Sequence, residues 1–311
     1  MTELIDKSHA NRGYLAAFGS TLFLALTAIF IRYLTVNYQL PALILTFWRE
    51  FFVAFFLLVF FLLFKPILLK GARPHLPYLA IYGLVLAVFN GSWTLSVALS
   101  GAAVATVLVY SSAAFTAVLG WLILKEDLGL AKIIAVILSL AGCALVANAL
   151  DPVLWAQNAF GILTGILSGL CYAVYSLMGR SASQRGLNPW TTLFFIFGFA
   201  AIFILIANLG FGRFLPGGAA HPVELLWLGN SLAGWGVLLT LALIPTLFGY
   251  GLYNVSLHHL PSSVANLIMT SEPVFTAIIA FFMFGEMLTP IQIFGGVLIL
   301  SGVIIIRLTG K

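Results

Sequence analysis

Residues 104–146, VATVLVYSSAAFTAVLGWLILKEDLGLAKIIAVILSLAGCALV, read against residues 264–306, VANLIMTSEPVFTAIIAFFMFGEMLTPIQIFGGVLILSGVIII, at a constant offset of 160. Val104, Ala105, Ser111, Phe115, Thr116, Ala117, Glu126, Leu128, Ile133, Leu138, Leu140 and Gly142 recur as Val264, Ala265, Ser271, Phe275, Thr276, Ala277, Glu286, Leu288, Ile293, Leu298, Leu300 and Gly302. Self-similarity at one fixed period is the signature of an internal repeat. Earlier in each unit the offset is 148, pairing Arg32 and Pro41 with Arg180 and Pro189, so about 12 extra residues fall in the segment 211–232, which holds Pro216, Gly217, Gly218 and Pro222. The expected units are 1–150 and 151–311.

The composition says where such units can fold. The chain is 62% hydrophobic and 7% charged, with a mean hydropathy of +1.13, whereas a soluble domain is roughly 25% charged. Side chains of this kind cannot cover a water-facing surface, so most of the surface must meet lipid. Net charge is +5, but the basic residues stand singly at the ends of apolar runs and form no stripe, which argues against a nucleic-acid partner. Cys143 and Cys171 lie within apolar runs and read as small packing residues rather than a disulfide. The first apolar stretch, from about Tyr14 to Tyr33, has no A-x-A cleavage site after it and reads as a span, so no cleaved signal peptide is predicted.

A helix needs about 20 residues to cross the hydrocarbon. Cutting the apolar runs at Pro, Gly and charged residues gives ten spans: 13–33, 42–64, 77–98, 102–124, 130–149, 159–179, 190–210, 233–257, 262–285 and 289–307. With the N-terminus in the cytoplasm, Lys7, Arg12, Lys65, Lys70, Arg73, Lys125, Lys132, Arg180, Arg185, Arg307 and Lys311 fall inside, and Arg32 and Arg213 outside. The positive-inside rule therefore puts both termini in the cytoplasm of a multi-pass protein of the inner or plasma membrane. Five is odd, so the second unit enters from the side opposite to the first. The fold class expected is an all-α integral membrane protein of two inverted five-helix repeats, an architecture typical of secondary transporters.

The stretch Ser271–Glu286, SEPVFTAIIAFFMFGE, and its counterpart Ser111–Glu126, SSAAFTAVLGWLILKE, resemble the fourth helix and Gly-Glu ending of the EamA repeat of the drug/metabolite transporter superfamily. The resemblance extends over nearly the whole chain, including the Gly-rich last helix around Gly295, Gly296 and Gly302; it departs at Ala113, where the second half has Pro273. It implies a carrier of small metabolites such as amino acids, drugs or nucleotide sugars, with amino-acid exporters of the YddG type as the nearest group. It also implies export as the direction, a cavity lined by spans 1, 3, 4, 6, 8 and 9, and spans 5 and 10 as outer scaffold.

Polar and aromatic residues at helical spacing inside a span are costly against lipid and should face a cavity or another helix. Span 3 carries Tyr78, Tyr82, Asn90 and Trp93 on one face; span 6 carries Ser168, Tyr172, Tyr175 and Ser176; span 8 carries Tyr250, Tyr253 and Asn254. Asn90, Trp93 and Thr94 align with Tyr250, Tyr253 and Asn254 at the 160 offset, so two stripes are repeat-related and would face one midplane substrate site. Span 4 adds Tyr110 and Ser111, and span 9 adds Asn266 and Glu272. The competing reading places Tyr78 and Tyr253 in interfacial aromatic belts and makes the mid-span groups interhelical hydrogen bonds.

Glu272, the carboxylate deep in span 9, must be protonated, paired or exposed to a water-filled cavity. It would bind a substrate amine or carry a coupling proton, or else belong with Pro273 to a packing motif. Arg49 and Glu50, adjacent in span 2, point to different helix faces and are expected to meet partners elsewhere or to snorkel. His258 and His259 read as interfacial, Glu126 and Glu286 as structural or gating positions, and Gly161, Gly165 and Gly169 as a close-packing ladder.

No Walker A loop, H-E-x-x-H or G-x-S-x-G motif is present, which argues against direct ATP drive and against an intramembrane enzyme. No cofactor and no metal are expected. The partners are a small-molecule substrate, best described as an amino acid or related metabolite, and lipid, around a chain taken as monomeric. Alternating access around the shared cavity is the mechanism expected. The alternatives are a drug or cation carrier, a nucleotide-sugar carrier, an intramembrane enzyme or a non-transporting scaffold.

Overall fold

The computed structural model describes residues 2–146, 149, 152–155, 159–284 and 289–309. Among these residues the chain is helical throughout, with short connections. Eight helices are long and apolar enough to cross a membrane, and Leu130–Val146 is a shorter apolar helix. Span 9 is made of two pieces, Ser262–Met269 and Glu272–Phe284, each too short to cross alone. The sum is consistent with the ten spans expected. Residues 285–288, and with them Glu286, lie outside the described set.

Spans 3 and 4 are continuous in hydrogen bonding, as one helix Leu76–Tyr110, where a non-helical connection is expected from sequence. Yet the chain reverses within it. Along span 6, Gly161 meets Leu99 and Ser100, Gly165 meets both Ser96 and Leu108, and Gly169 meets Leu108 and Ser111. The chain therefore runs against span 6 up to about residue 100 and with it afterwards. The glycine ladder lies in the crotch of that hairpin, where a Cβ on Gly165 would sit 2.5 Å from Leu108 and 2.7 Å from Ser96. Small residues are what allow such an approach.

The inverted symmetry is visible in contacts that map onto each other. Gly13 meets His259 and Leu260, and the offsets of 148 and 160 convert that contact into Gly161 meeting Leu99 and Ser100, which also exists. Gly142 meets Gly295, and the same operation turns this into Gly302 meeting Ala135, again present. As the chain climbs from Ala135 to Gly142 its partner descends from Gly302 to Gly295, so repeat-equivalent helices pack antiparallel, as a two-fold axis in the membrane plane requires. The Arg307 guanidinium lies 5.5 Å from the centre of the Tyr14 ring. The start of span 1 and the end of span 10 thus lie at one face, here called the terminal face.

Three spans are interrupted near mid-membrane. Span 1 breaks at Ala25 and Leu26, span 4 at Ser111, and span 9 at Thr270 and Ser271, the last two being repeat-equivalent. Span 8 instead widens into a π-helix, Ala242–Phe248, around Pro245. Proline lacks the N–H that would bond the Leu241 carbonyl, and the Thr246 hydroxyl donates to that carbonyl instead at 2.8 Å. Local repair of this kind makes irregular backbone tolerable at membrane depth.

A central cavity where the broken helices meet

The interruptions converge. One central cavity is lined by Leu24 and Thr27 at the break of span 1, Val109 and Tyr110 beside that of span 4, Glu272 at that of span 9, and Tyr250 and Tyr253 just past the π-helix. Arg49, Phe89, Trp93, Thr106 and Tyr172 complete the wall. The cavity is about 40 Å³, enough for two or three water molecules but far below the roughly 300 Å³ of an ordinary ligand pocket. The helices leave little space at the centre.

The backbone places Glu272 well. The break at Thr270–Ser271 makes Glu272 the first residue of a half-helix, where the free N–H groups and the positive end of the helix dipole favour an anion. Pro273 falls in the first turn, where its missing N–H costs nothing. The Tyr110 hydroxyl donates to Glu272 Oε2 at 2.5 Å. The two partners flank equivalent breaks, Tyr110 before that at Ser111 and Glu272 after that at Ser271, but the carboxylate belongs to one half: its counterpart is Ser112, which donates to Asn266 Oδ1 at 3.0 Å.

Asn90 and Tyr250 occupy the pseudo-two-fold axis. They are separated by the repeat offset of 160, and the Tyr250 hydroxyl donates to Asn90 Oδ1 at 2.7 Å. Two repeat-equivalent residues touch each other only at the axis itself. Asn90 Nδ2 in turn donates to Glu50 Oε1 at 2.5 Å, and Arg49 Nη2 to the same oxygen at 3.3 Å. Glu50 thus meets a partner on another span, as expected, and snorkelling is ruled out for both residues. Both are buried, at 1% and 0% exposure, and they pair with each other instead of snorkelling, because span 2 is packed against span 7 through Leu43, Phe61 and their neighbours.

Of the site residues expected from sequence, Trp93, Tyr110, Tyr172, Tyr250, Tyr253 and Glu272 line the cavity. The other six lie around it. Asn90 supports Tyr250 from behind, and Ser111 is the hinge of span 4, its hydroxyl donating to the Leu108 carbonyl at 2.6 Å. Tyr82, Tyr175 and Asn254 form a plug on the terminal side: the Tyr82 and Tyr175 rings are 4.9 Å apart and the Tyr175 hydroxyl donates to Asn254 Oδ1 at 3.1 Å. Tyr78 sits farther out, donating to the Met178 carbonyl at 2.6 Å beneath the Arg185 guanidinium.

Beyond the plug the terminal face is latched. Glu126 accepts the backbone N–H of Ser262 at 2.7 Å and of Ser263 at 3.1 Å, and both serine hydroxyls as well. It thereby caps a helix whose own N-cap, Pro261, supplies no side-chain bond. Lys132 Nζ donates to the Ser263 hydroxyl at 3.0 Å, and Arg180 to the carbonyls of Leu257 and His258.

Leu24, Thr27, Phe89, Thr106 and Val109 were not singled out by residue type. Their signal is positional: Phe89 is four residues before Trp93 on one helix face and stacks on Tyr172 at 4.8 Å, Leu24, Thr27 and Val109 lie within two residues of backbone breaks, and Thr106 is one turn before Val109 and Tyr110 on their helix. Arg49 carried a signal, a charge in mid-span, without a partner that sequence spacing identifies.

Comparison with known proteins agrees with this architecture. The model of the EamA-like transporter family matches the chain twice, over residues 11–148 and 159–308. An uncharacterized transporter of Archaeoglobus fulgidus is 28% identical over 224 residues, covering 71% of this chain and 74% of that protein. The uncharacterized transporter YwfM of Bacillus subtilis is 27% identical over 231 residues, covering 74% and 73%. The threonine/homoserine exporter RhtA of Escherichia coli K12 is 33% identical over 137 residues, covering 43% of this chain and 40% of that one. A solved crystal structure that is 15% identical superposes with a TM-score of 0.74 over 95% of this chain and 96% of its own, a likeness of fold. Two matches that together take in both halves, and relatives named as transporters, show that the chain belongs to the EamA-like transporter family of the drug/metabolite superfamily and is a multi-pass membrane transporter of small molecules.

Proposed function

We propose that this transporter exports amino acids by alternating access, with the terminal face in the cytoplasm and the cavity beside Glu272 as the substrate site. The observation that carries the reading is the convergence of three broken spans and a π-helix on one cavity beside the two-fold axis. Exchanging the conformations of two inverted halves about that axis moves access from one face to the other. The wall suits a small zwitterion or a cation: Tyr110, Tyr172, Tyr250, Tyr253, Phe89 and Trp93 surround the one carboxylate, and an aromatic face contributes about 0.5 to 2 kcal/mol toward a cation. The similarity to the exporter RhtA supports amino acids and the outward direction.

A second reading, transport of organic cations, rests on the same carboxylate. Counterflow in proteoliposomes with radiolabelled threonine and, separately, with its radiolabelled decarboxylated amine separates the two. Exchange of the amine with none of threonine rejects the first reading.

The axis pair gives a sharper expectation. Asn90→Ala and Tyr250→Ala each remove a buried hydrogen bond worth about 1 to 1.5 kcal/mol, so each should lower counterflow kcat/KM by about tenfold. Unchanged kinetics in both variants would remove the axis from the substrate site.

Glu272→Gln tests coupling. If the carboxylate carries a proton across, the uptake that the variant retains no longer responds to an imposed pH gradient, alongside the weaker exchange at equal pH that loss of the substrate's cationic partner brings. A response equal to wild type excludes that role.

A further inference from the structure

Arg49 is 1% exposed and borders the cavity. A guanidinium has five N–H donors and no acceptor; among the described residues Nη2 meets Glu50 Oε1 at 3.3 Å and Nε has no partner. Charge-assisted N–H···O bonds normally measure about 2.7 to 2.9 Å, and a satisfied arginine–carboxylate pair is a two-pronged fork. Glu50 instead gives its close contact to Asn90 at 2.5 Å, and its second oxygen has no partner among the described residues. A buried charge so loosely held is costly unless another group completes it. Two more wall residues hold buried donors with no partner among the described residues, Trp93 Nε1 and Thr27 Oγ1. The wall thus holds N–H and O–H groups that call for an acceptor-rich, anionic ligand group. It also holds Glu272, which only accepts when ionised and calls for a cationic donor. Arg49, Glu272 and Tyr250 all belong to the wall of this one small cavity.

We infer that Arg49 is a specificity-determining residue of the cavity: its guanidinium receives the carboxylate of a zwitterionic α-amino acid whose ammonium group is held at Glu272. The inference rests on the cavity being the substrate site and adds to it the group that tells an amino acid from an amine. A plain amine satisfies Glu272 and leaves Arg49, Trp93 and Thr27 without partners; a plain carboxylic acid does the reverse. Discrimination is strong where a site built to hydrogen-bond a group is left unpaired by an analogue that lacks it.

The test is counterflow in proteoliposomes with three radiolabelled probes: threonine, its methyl ester, which lacks the carboxylate charge, and N-acetylthreonine, which lacks the ammonium. Wild type is expected to exchange threonine and to discriminate against both analogues. Arg49→Gln should lose at least tenfold in threonine exchange while exchange of the methyl ester is kept or raised, and Arg49→Lys should restore part of the loss. Because Arg49→Gln strands Glu50, the double variant Arg49→Gln/Glu50→Gln, which removes both charges, is measured beside it after both are shown to be monodisperse in detergent. A threonine-to-ester ratio equal to wild type in the double variant overturns the role of Arg49 and leaves the amino-acid reading standing. Exchange of the ester without threonine by wild type, or of none of the probes, overturns both.

Discussion

Gly142→Ala is expected to destabilise the folded carrier, although alanine favours a helix over glycine by about 1 kcal/mol. The added methyl would stand 2.5 Å from the Gly295 carbonyl oxygen and 2.9 Å from the Ile299 nitrogen. Both are backbone atoms of span 10, which no rotamer change can move aside. Helices 130–146 and 290–309 would have to separate along their contact, and overpacking of this kind costs about 1 to 3 kcal/mol, more for a longer side chain. The steric cost therefore outweighs the propensity gain, and Gly142→Leu should prevent recovery of folded protein. Gly296→Ala, in the partner helix, is the control: its nearest neighbour is Val274 at 3.7 Å, an ordinary contact, so its propensity gain stands unopposed. Thermal unfolding of the purified variants in detergent should show opposite shifts in Tm. A Gly142→Ala protein as stable as Gly296→Ala would show that spans 5 and 10 do not meet as described.

Glu126→Ala should open the terminal face. The carboxylate collects four donors from Ser262 and Ser263 across the interface between the halves, and hydrogen bonds to a charged group are worth about 1.5 to 3 kcal/mol each when buried. Glu126 is half-buried at the membrane edge, where water competes for it. A net loss of about 2 to 3 kcal/mol shifts the population of the latched state roughly 30- to 150-fold. The readout is alkylation of a cysteine at Thr27 in a Cys143→Ser/Cys171→Ser background, by an impermeant maleimide applied to one face at a time. Reaction from the terminal face should rise at least tenfold and reaction from the other face should fall. Equal labelling in parent and variant would mean that the latch does not hold the gate.

The offset of 160 pairs Ser262 and Ser263 with Ala102 and Ala103, and Lys132 with Gln292. The donors that Glu126 uses are thus not matched in type at the repeat-equivalent positions of the first half. Ser262→Ala/Ser263→Ala, which gives the latch the residue types of its counterpart, should produce a smaller opening of the same sign, since the backbone N–H bonds remain.

Much of this organisation was legible in the residues alone, for stated reasons. Apolar runs of about 20 residues report membrane crossings because lipid leaves a helix no other option. A fixed offset with an odd number of spans reports inversion by counting. The polar stripes of spans 3, 6 and 8 point inward because facing lipid would be too costly. Glu272 stood out for the same reason, and its hydroxyl partner Tyr110 lies on the equivalent span of the other half.

What remained hidden depended on where helix axes stop or bend. The break at Ala25–Leu26 sits in an apolar run with no Gly or Pro to announce it, and the reversal between spans 3 and 4 occurs within unbroken helical hydrogen bonding. Periodicity describes one helix at a time. The meeting of Asn90 with Tyr250, of Glu126 with Ser262, and of Arg49 with the cavity wall joins residues from different spans. Sequence alone determined that this chain is a membrane protein made of two opposed copies, because hydropathy and repetition are properties of the chain. Only the tertiary structure decided which buried charges share a cavity and which face is shut, because those follow from how the copies close on each other about their axis.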